Sequence, residues 1–301
     1  MVETSSNTSI VLFTDTDLDG AGVYYVFRKF IDMDFKVIQT TEKKFRDDFT
    51  QLKDKNKYKK IYITDLAILN TCKDIVDLPN VVFINHRSNP AESSPSTEHL
   101  KNESQDFSSC TLLVYKKLKE KFKTPLTDEQ KKLLVLIDDY DSYELRFPET
   151  LKLNCIYWSL RGEKAKAFYN LFDKGFAGFT SNQEALISTC TNELNEHFKT
   201  LKIFKGELKI GGKNYTVCST FNNFHPSEIC HKIIKTYNCD IVINVNLNNN
   251  SLSLRKKRGT DVHLGNIAKK LFNGGGDSSV AGGTLNNNFL QLSKLLYPIT
   301  P

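Results

Sequence analysis

Nowhere in the 301 residues is there a run of about 18 apolar side chains, so a membrane-spanning helix is not expected. The opening residues, MVETSSNTSI, have neither the basic nor the apolar stretch of a secretory signal. The seven cysteines, at 72, 110, 155, 190, 218, 230 and 239, include no Cys-x-x-Cys pair. A chain of this size does not need disulfide staples, so the expectation is free buried thiols in a reducing, cytoplasmic setting. No internal repeat and no long disordered segment are apparent. Charge of one sign is not in large excess: 41 basic against 35 acidic residues leaves a formal +6. That mild excess fits an anionic partner without requiring one. The lysine- and asparagine-rich stretches KDKNKYKK and NLNNNS read as compositional bias.

What is present is an alternation of strand and helix patterns. SIVLFT (9–14), FKVIQT (35–40), KIYIT (60–64) and VVFIN (81–85) are short apolar runs of the kind buried in parallel sheets. AGVYYVFRKFI (21–31) and SCTLLVYKKLKEKF (109–122) carry apolar residues at helical spacing. Thr127 and Gln130 have capping-box spacing for a helix that closes at IDDYDSYEL (137–145). The pattern predicts an α/β fold with a doubly wound parallel sheet over 1–150, a helical connector over 151–200 and a smaller α/β domain over 201–301. In the last of these, KIFKGELKIGGKNYTVCST reads as a hairpin turning at Gly-Gly, and HPSEICHKIIKTY as a helix with Pro226 near its start.

Charged residues gather where these strands end. VLFTDTDLDGAG places Asp15, Asp17 and Asp19 after the first strand, Asp65 follows the third, and Asn85, His86 and Arg87 follow the fourth. Open parallel sheets carry their ligand sites at the carboxyl ends of strands, so these segments are expected to converge. Crowded carboxylates are unfavourable unless a cation relieves them. If the first strand continued, its three aspartates would line one side, with Gly20 letting the chain turn closely into the next helix. Carboxylate oxygens suit Mn²⁺ or Mg²⁺, and an added imidazole favours Mn²⁺. With an aspartate from 138, 139 or 141 the set is large enough for two ions. Taken singly the pieces say less: an aspartate after a strand often caps the next helix, and a lone histidine is more often structural.

In this order the motifs resemble those of the DHH phosphoesterase superfamily, of the exonuclease and oligoribonuclease type, with a DHHA1 domain as second half. FTDTDLDGAG looks like its first motif, IYITDLAI like its second, VVFINHRSNP stands at its Asp-His-His, and VLIDDYDSYEL looks like its fourth. SLSLRKKRGTDVHLGNIAKKLFNGGGDSSVAGG is similar to the DHHA1 signature. The resemblance covers nearly the whole chain but is degenerate at three points: Asn85 stands for the family's aspartate, Arg87 for its second histidine, and Asp277 for the histidine after the glycines. It implies metal binding by Asp15, Asp17, Asp19, Asp65, His86 and Asp141, with Asp139 as second choice for the last. It implies catalytic roles for Asp65, His86 and Arg87. It implies substrate contacts from Asn85, Arg87, Arg255, Gly274, Gly275, Gly276, Asp277 and Ser278, the glycines forming a lip. Asn85 would support the imidazole from outside the metal shell. Arg87 would donate two N–H groups to phosphate but supply no acid at neutral pH.

The activity so implied is that of a phosphodiesterase with two Mn²⁺ ions, Mg²⁺ being the alternative. It would hydrolyse single-stranded nucleic-acid ends or short oligonucleotides in a cleft between the domains. The altered trio keeps open a second reading, a catalytically impaired relative that binds single-stranded nucleic acid or a protein partner. The C-terminal domain could equally serve homodimerisation.

Overall fold

The computed structural model describes residues 9–53, 55–68, 71–86, 109–122 and 125–285, and these fall into two compact units divided between Glu184 and Ala185. The first is built on four parallel strands, β1 (Ile10–Thr14), β2 (Lys36–Gln39), β3 (Lys60–Thr64) and β4 (Val81–Ile84), in the order β2-β1-β3-β4. Strand order reverses between β1 and β3, which makes the carboxyl ends of those strands the topological switch point. Both faces are covered. Val11, Phe13, Ile61, Ile63, Val81 and Phe83 form one core with Phe45 and Phe49 of α2 (Phe45–Gln51) and with Ile75 and Val76 of α3 (Lys73–Val76). On the other face Tyr62 meets Phe27 of α1 (Leu18–Phe30) edge-on at 4.9 Å.

Helix α1 is buried on nearly every side because α4 (Cys110–Phe122), α5 (Asp128–Asp141) and α7 (Lys164–Leu171) all pack against it. A Cβ on Gly22 would lie 2.2 Å from Thr111 Oγ1, so α1 and α4 cross too closely for a side chain there. The capping box at Thr127 is formed in both directions and starts α5. Helices α6 (Glu149–Ser159) and α7, in the segment expected as a connector, belong to this unit: Tyr157 donates to Thr16 O at 2.5 Å and the Ala165 N–H to Gln39 Oε1 at 2.9 Å. Helix α8 (Ser181–Thr200) spans the division.

The second unit holds a mixed sheet of six strands. β5 (Ile203–Ile210) and β6 (Lys213–Phe221) form the expected hairpin, turning at Gly211 and Gly212, both with positive φ as a primed turn requires. β7 (Ile241–Asn246) and β8 (Ser251–Lys256) follow, with α9 (Pro226–Tyr237) between β6 and β7. After α10 (Leu264–Phe272) come β9 (Gly275–Gly276) and β10 (Val280–Thr284). The sheet runs β5-β6-β7-β8-β10-β9. The glycine run thus forms the edge of the sheet. None of the helices among the described residues is long and apolar enough to cross a membrane.

Candidate metal centre

β1 ends at Thr14 and α1 begins at Leu18, so the strand stops before the first aspartate and the third already lies in the helix. Asp15, Asp17 and Asp19 therefore do not line one side as a continued strand would place them. Asp15 Oδ1 accepts from the Thr16 N–H at 2.5 Å. Asp17 is the N-cap of α1, its Oδ1 accepting from the Gly20 N–H at 2.9 Å. Asp19, in the first helical turn, is buried, and its two oxygens accept from the backbone N–H groups of Cys110 at 2.8 Å and Thr111 at 2.9 Å. The Asp19 carboxylate thus seats the first turn of α4, whose amides lack partners within their own helix. Gly20 is needed because a Cβ there would stand 2.1 Å from the Asp15 carbonyl oxygen.

Asp65, just beyond β3, has φ of 57°, a left-handed conformation uncommon outside glycine, asparagine and aspartate. Its N–H donates to Ile84 O at 3.1 Å, which ties the end of β3 to the end of β4. His86 follows β4. Its Nδ1 lies 3.5 Å from Asp65 Oδ1 and 3.9 Å from Asp19 Oδ2, and its Nε2 lies 3.2 Å from Asp141 Oδ2 at the last residue of α5. Four elements remote in sequence therefore deliver three carboxylates around one imidazole. All four side chains are more than nine-tenths buried. Asn85 Nδ2 donates to Leu66 O at 2.9 Å and so joins the loops that follow β3 and β4. Arg87 lies outside the described residues.

The fourth motif divides its aspartates sharply. Asp141 faces His86. Asp139, the second choice for a metal ligand, is committed elsewhere: its Oδ1 accepts from the Arg146 N–H and Nε at 3.1 and 2.8 Å, and its Oδ2 from the Phe147 N–H and Thr150 Oγ1 at 3.3 and 2.7 Å. Four donors use its accepting capacity to fix the reversal after α5. Burial raises the Asp139 carboxyl, but the bonds from Arg146, Thr150 and the backbone outweigh it and hold the group below the usual carboxylate range. Asp139 is accordingly removed from the ligand set.

The remaining carboxylates repel one another. Burial, then the charge of Asp141, pushes Asp19 up to about 7 against the opposing pull of His86. Burial, then the charge of Asp17, pushes Asp15 to about 7. A divalent cation would offset this repulsion, and Asp19, His86 and Asp141 each place a ligand atom within 4.8 Å of the other two. A second group with the same spacing joins Asp65 and His86 to Cys110, the first residue of α4. No ligand pattern in the neighbouring sequence marks Cys110. Its only local signal is its place opening a helix.

In the second unit Arg255 is braced by α9, its Nη2 donating to Ser227 Oγ at 3.0 Å. The glycine-rich signature packs tightly. A Cβ on Gly274 would stand 1.9 Å from Gly282 O, and one on Gly276, where φ is 134°, would stand 2.5 Å from Val280 O. The carbonyls of Asp277 and Ser278 accept from the Gly265 and Leu264 N–H groups at 2.9 and 3.0 Å, closing the N-terminus of α10. Lys256 Nζ donates to Ser278 Oγ at 2.8 Å.

No family model matches the sequence, and no curated protein sequence matches it. Among solved structures, the DHH domain of a member of a ribosomal protein family superposes with a TM-score of 0.61 at 12% identity, over 97% of this chain and 88% of that one. A pGpG-specific phosphodiesterase from Vibrio cholerae superposes with a TM-score of 0.54 at 13% identity, over 95% and 96% of the two chains. At these identities the likeness is one of fold, and the fold is that of DHH-domain proteins.

Proposed function

We propose that the chain is a metal-dependent phosphoesterase acting on short single-stranded oligonucleotides or dinucleotides. The observation that carries this reading is the gathering of Asp19, Asp65 and Asp141 on His86 at a topological switch point. The fold shared with a pGpG-specific phosphodiesterase directs attention to phosphodiester substrates. The donor set fits divalent ions, Mn²⁺ before Mg²⁺ because of the imidazole. Asp19, Asp65, His86 and Asp141 would hold one ion; Asp17 and Asp15, with Asp65, would hold the other. Bound there, such ions would supply Lewis acidity to phosphoryl oxygens and acidify water toward about 7.

The chain's own residues do the rest. Asp65, fixed by its backbone bond to Ile84, and Asp141, fixed by the end of α5, set the plane of the imidazole. Asp19 keeps its orientation through the two α4 amides. Arg87, adjacent to His86 in sequence, is proposed to donate paired N–H groups to phosphate oxygens. Arg255 is proposed to bind a phosphate or base, with Gly274, Gly275, Gly276, Asp277 and Ser278 beside it in the second unit.

The test is turnover of pGpG, of a pApA-type dinucleotide and of a labelled short single strand with Mn²⁺, in the wild type and in Asp65→Ala. Mn²⁺-dependent cleavage that Asp65→Ala abolishes is the expected result. Binding of the single strand without Asp65-dependent cleavage would instead mark a catalytically impaired member of this fold.

A further inference from the structure

Cys110 is fully buried, and an isolated buried cysteine behaves as a small apolar side chain. Its surroundings set it apart. Its sulfur, an oxygen of Asp65 and a nitrogen of His86 all lie within 4.8 Å of one another, and among the described residues no other cysteine joins a group of three such donors. Ligands held about 2.0–2.3 Å from a shared tetrahedral ion stand roughly 3.3–3.8 Å apart. The 3.5 Å between Asp65 Oδ1 and His86 Nδ1 already has that spacing. The backbone of Cys110 is anchored by its N–H bond to Asp19, and its thiol donates to Ile84 O at 3.5 Å, an ordinary length for sulfur. A thiolate would relinquish that contact without leaving a strong donor unmet. Burial, then the charges of Asp65 and Asp19, hold the metal-free thiol well above its usual range, and a bound cation would oppose them.

We propose that Cys110, with Asp65 and His86, is a direct ligand of one divalent ion at this centre, and that its sulfur gives that position a preference for Zn²⁺ or Co²⁺ over Mn²⁺. The inference rests on the metal-centre reading above and sharpens it. A site of carboxylates and imidazole alone leaves a smaller margin between these ions, and a thiolate widens it toward the softer ones. Binding exchanges the S–H bond for a sulfur–metal bond and releases the thiol proton to solvent.

The test is titration of the metal-free full chain with Co²⁺, read by absorption. A Co²⁺–sulfur bond produces a charge-transfer band in the near ultraviolet, separate from the visible ligand-field bands that any protein-bound Co²⁺ gives. The wild type should show both sets. Cys110→Ser should lose the charge-transfer band and keep the visible ones, and its preference for Zn²⁺ over Mn²⁺ in competition should fall by about tenfold or more, since loss of even an outer partner of a ligand costs roughly 10–100-fold. Asp65→Ala should lose both sets. Should Cys110→Ser fail to fold, X-ray absorption of the unmutated protein loaded with one equivalent of Zn²⁺ decides, with one sulfur expected at about 2.3 Å. Visible bands without the charge-transfer band, or a zinc shell without sulfur, would overturn the role of Cys110 while leaving the metal centre standing. Absence of any Co²⁺ spectrum would overturn both.

Discussion

Two Asp-x-Asp pairs meet at this centre, one entering α1 and one leaving α5, and they are worth setting side by side. In each, the first aspartate accepts from nearby backbone N–H groups and the second faces His86. Asp17 caps α1 with a bond to Gly20, and Asp19 beyond it stands 3.9 Å from the imidazole. Asp139 holds Arg146, Phe147 and Thr150, and Asp141 beyond it stands 3.2 Å away. The difference lies in saturation. Asp139 is surrounded by donors and its acidity is strengthened, whereas Asp19 has two amides, is crowded by Asp141, and is weakened to about 7. Position in a motif does not distinguish a structural carboxylate from a ligating one; the donors around it do.

The largest effect should come from removing the saturated member. Asp139→Ala strips four donors of their acceptor and should cost about 3–5 kcal/mol of stability, measured by urea unfolding, with Mn²⁺ affinity per folded molecule unchanged. A large affinity loss in the folded fraction would erase the distinction drawn here. Asp141→Asn should do the reverse, lowering Mn²⁺ affinity by about 100-fold in calorimetric titration while leaving metal-free stability level or slightly raised, because a repulsion with Asp19 is relieved.

Acidity separates the two pairs in another way. Unfolded carboxyls ionise near 3.8, whereas Asp15 and Asp19 hold their protons to about 7 in the fold. Between those values the folded chain binds more protons than the unfolded one, so the stability of the metal-free protein should decline as pH rises from about 4 to 7. Asp139, shifted down, acts oppositely and withdraws its support only as pH falls below 3.8. Thermal unfolding across this window, with and without saturating Mn²⁺, checks the sign: the decline should be present without the ion and removed by it. The smallest effect should be Thr127→Ala, which opens the capping box at the far end of the helix bearing both Asp139 and Asp141. A loss of about 1 kcal/mol in chemical unfolding, with little change in metal affinity, is expected.

How far the chain could be read in advance followed how local each cause was. β1, β3 and β4 declare themselves by apolar runs, the α5 start by Thr127 and Gln130, and the hairpin by Gly211 and Gly212. The meeting of Asp65 and His86, placed after strand ends, was legible because a parallel sheet brings those ends together. The fate of Asp19 was not, since its partners Cys110 and Thr111 are 91 and 92 residues away. Asp139 and Asp141 looked alike because nothing in a string announces that Arg146 and Thr150 fold back on one of them. The glycine run read as a lip because strands are ordinarily recognised by their side chains. Here, close approach of Gly274 to Gly282 and of Gly276 to Val280 requires that there be none.

The left-handed backbone at Asp65 sets stability against ligation at a single residue. Glycine adopts that φ without the steric cost a side chain bears, so Asp65→Gly should relax the turn after β3 even as it deletes a carboxylate from the centre. Drift toward a sturdier chain would therefore tend to erode this position, and on the proposed metal-centre reading an aspartate is kept there only where holding the ion is worth more than the ease of the turn.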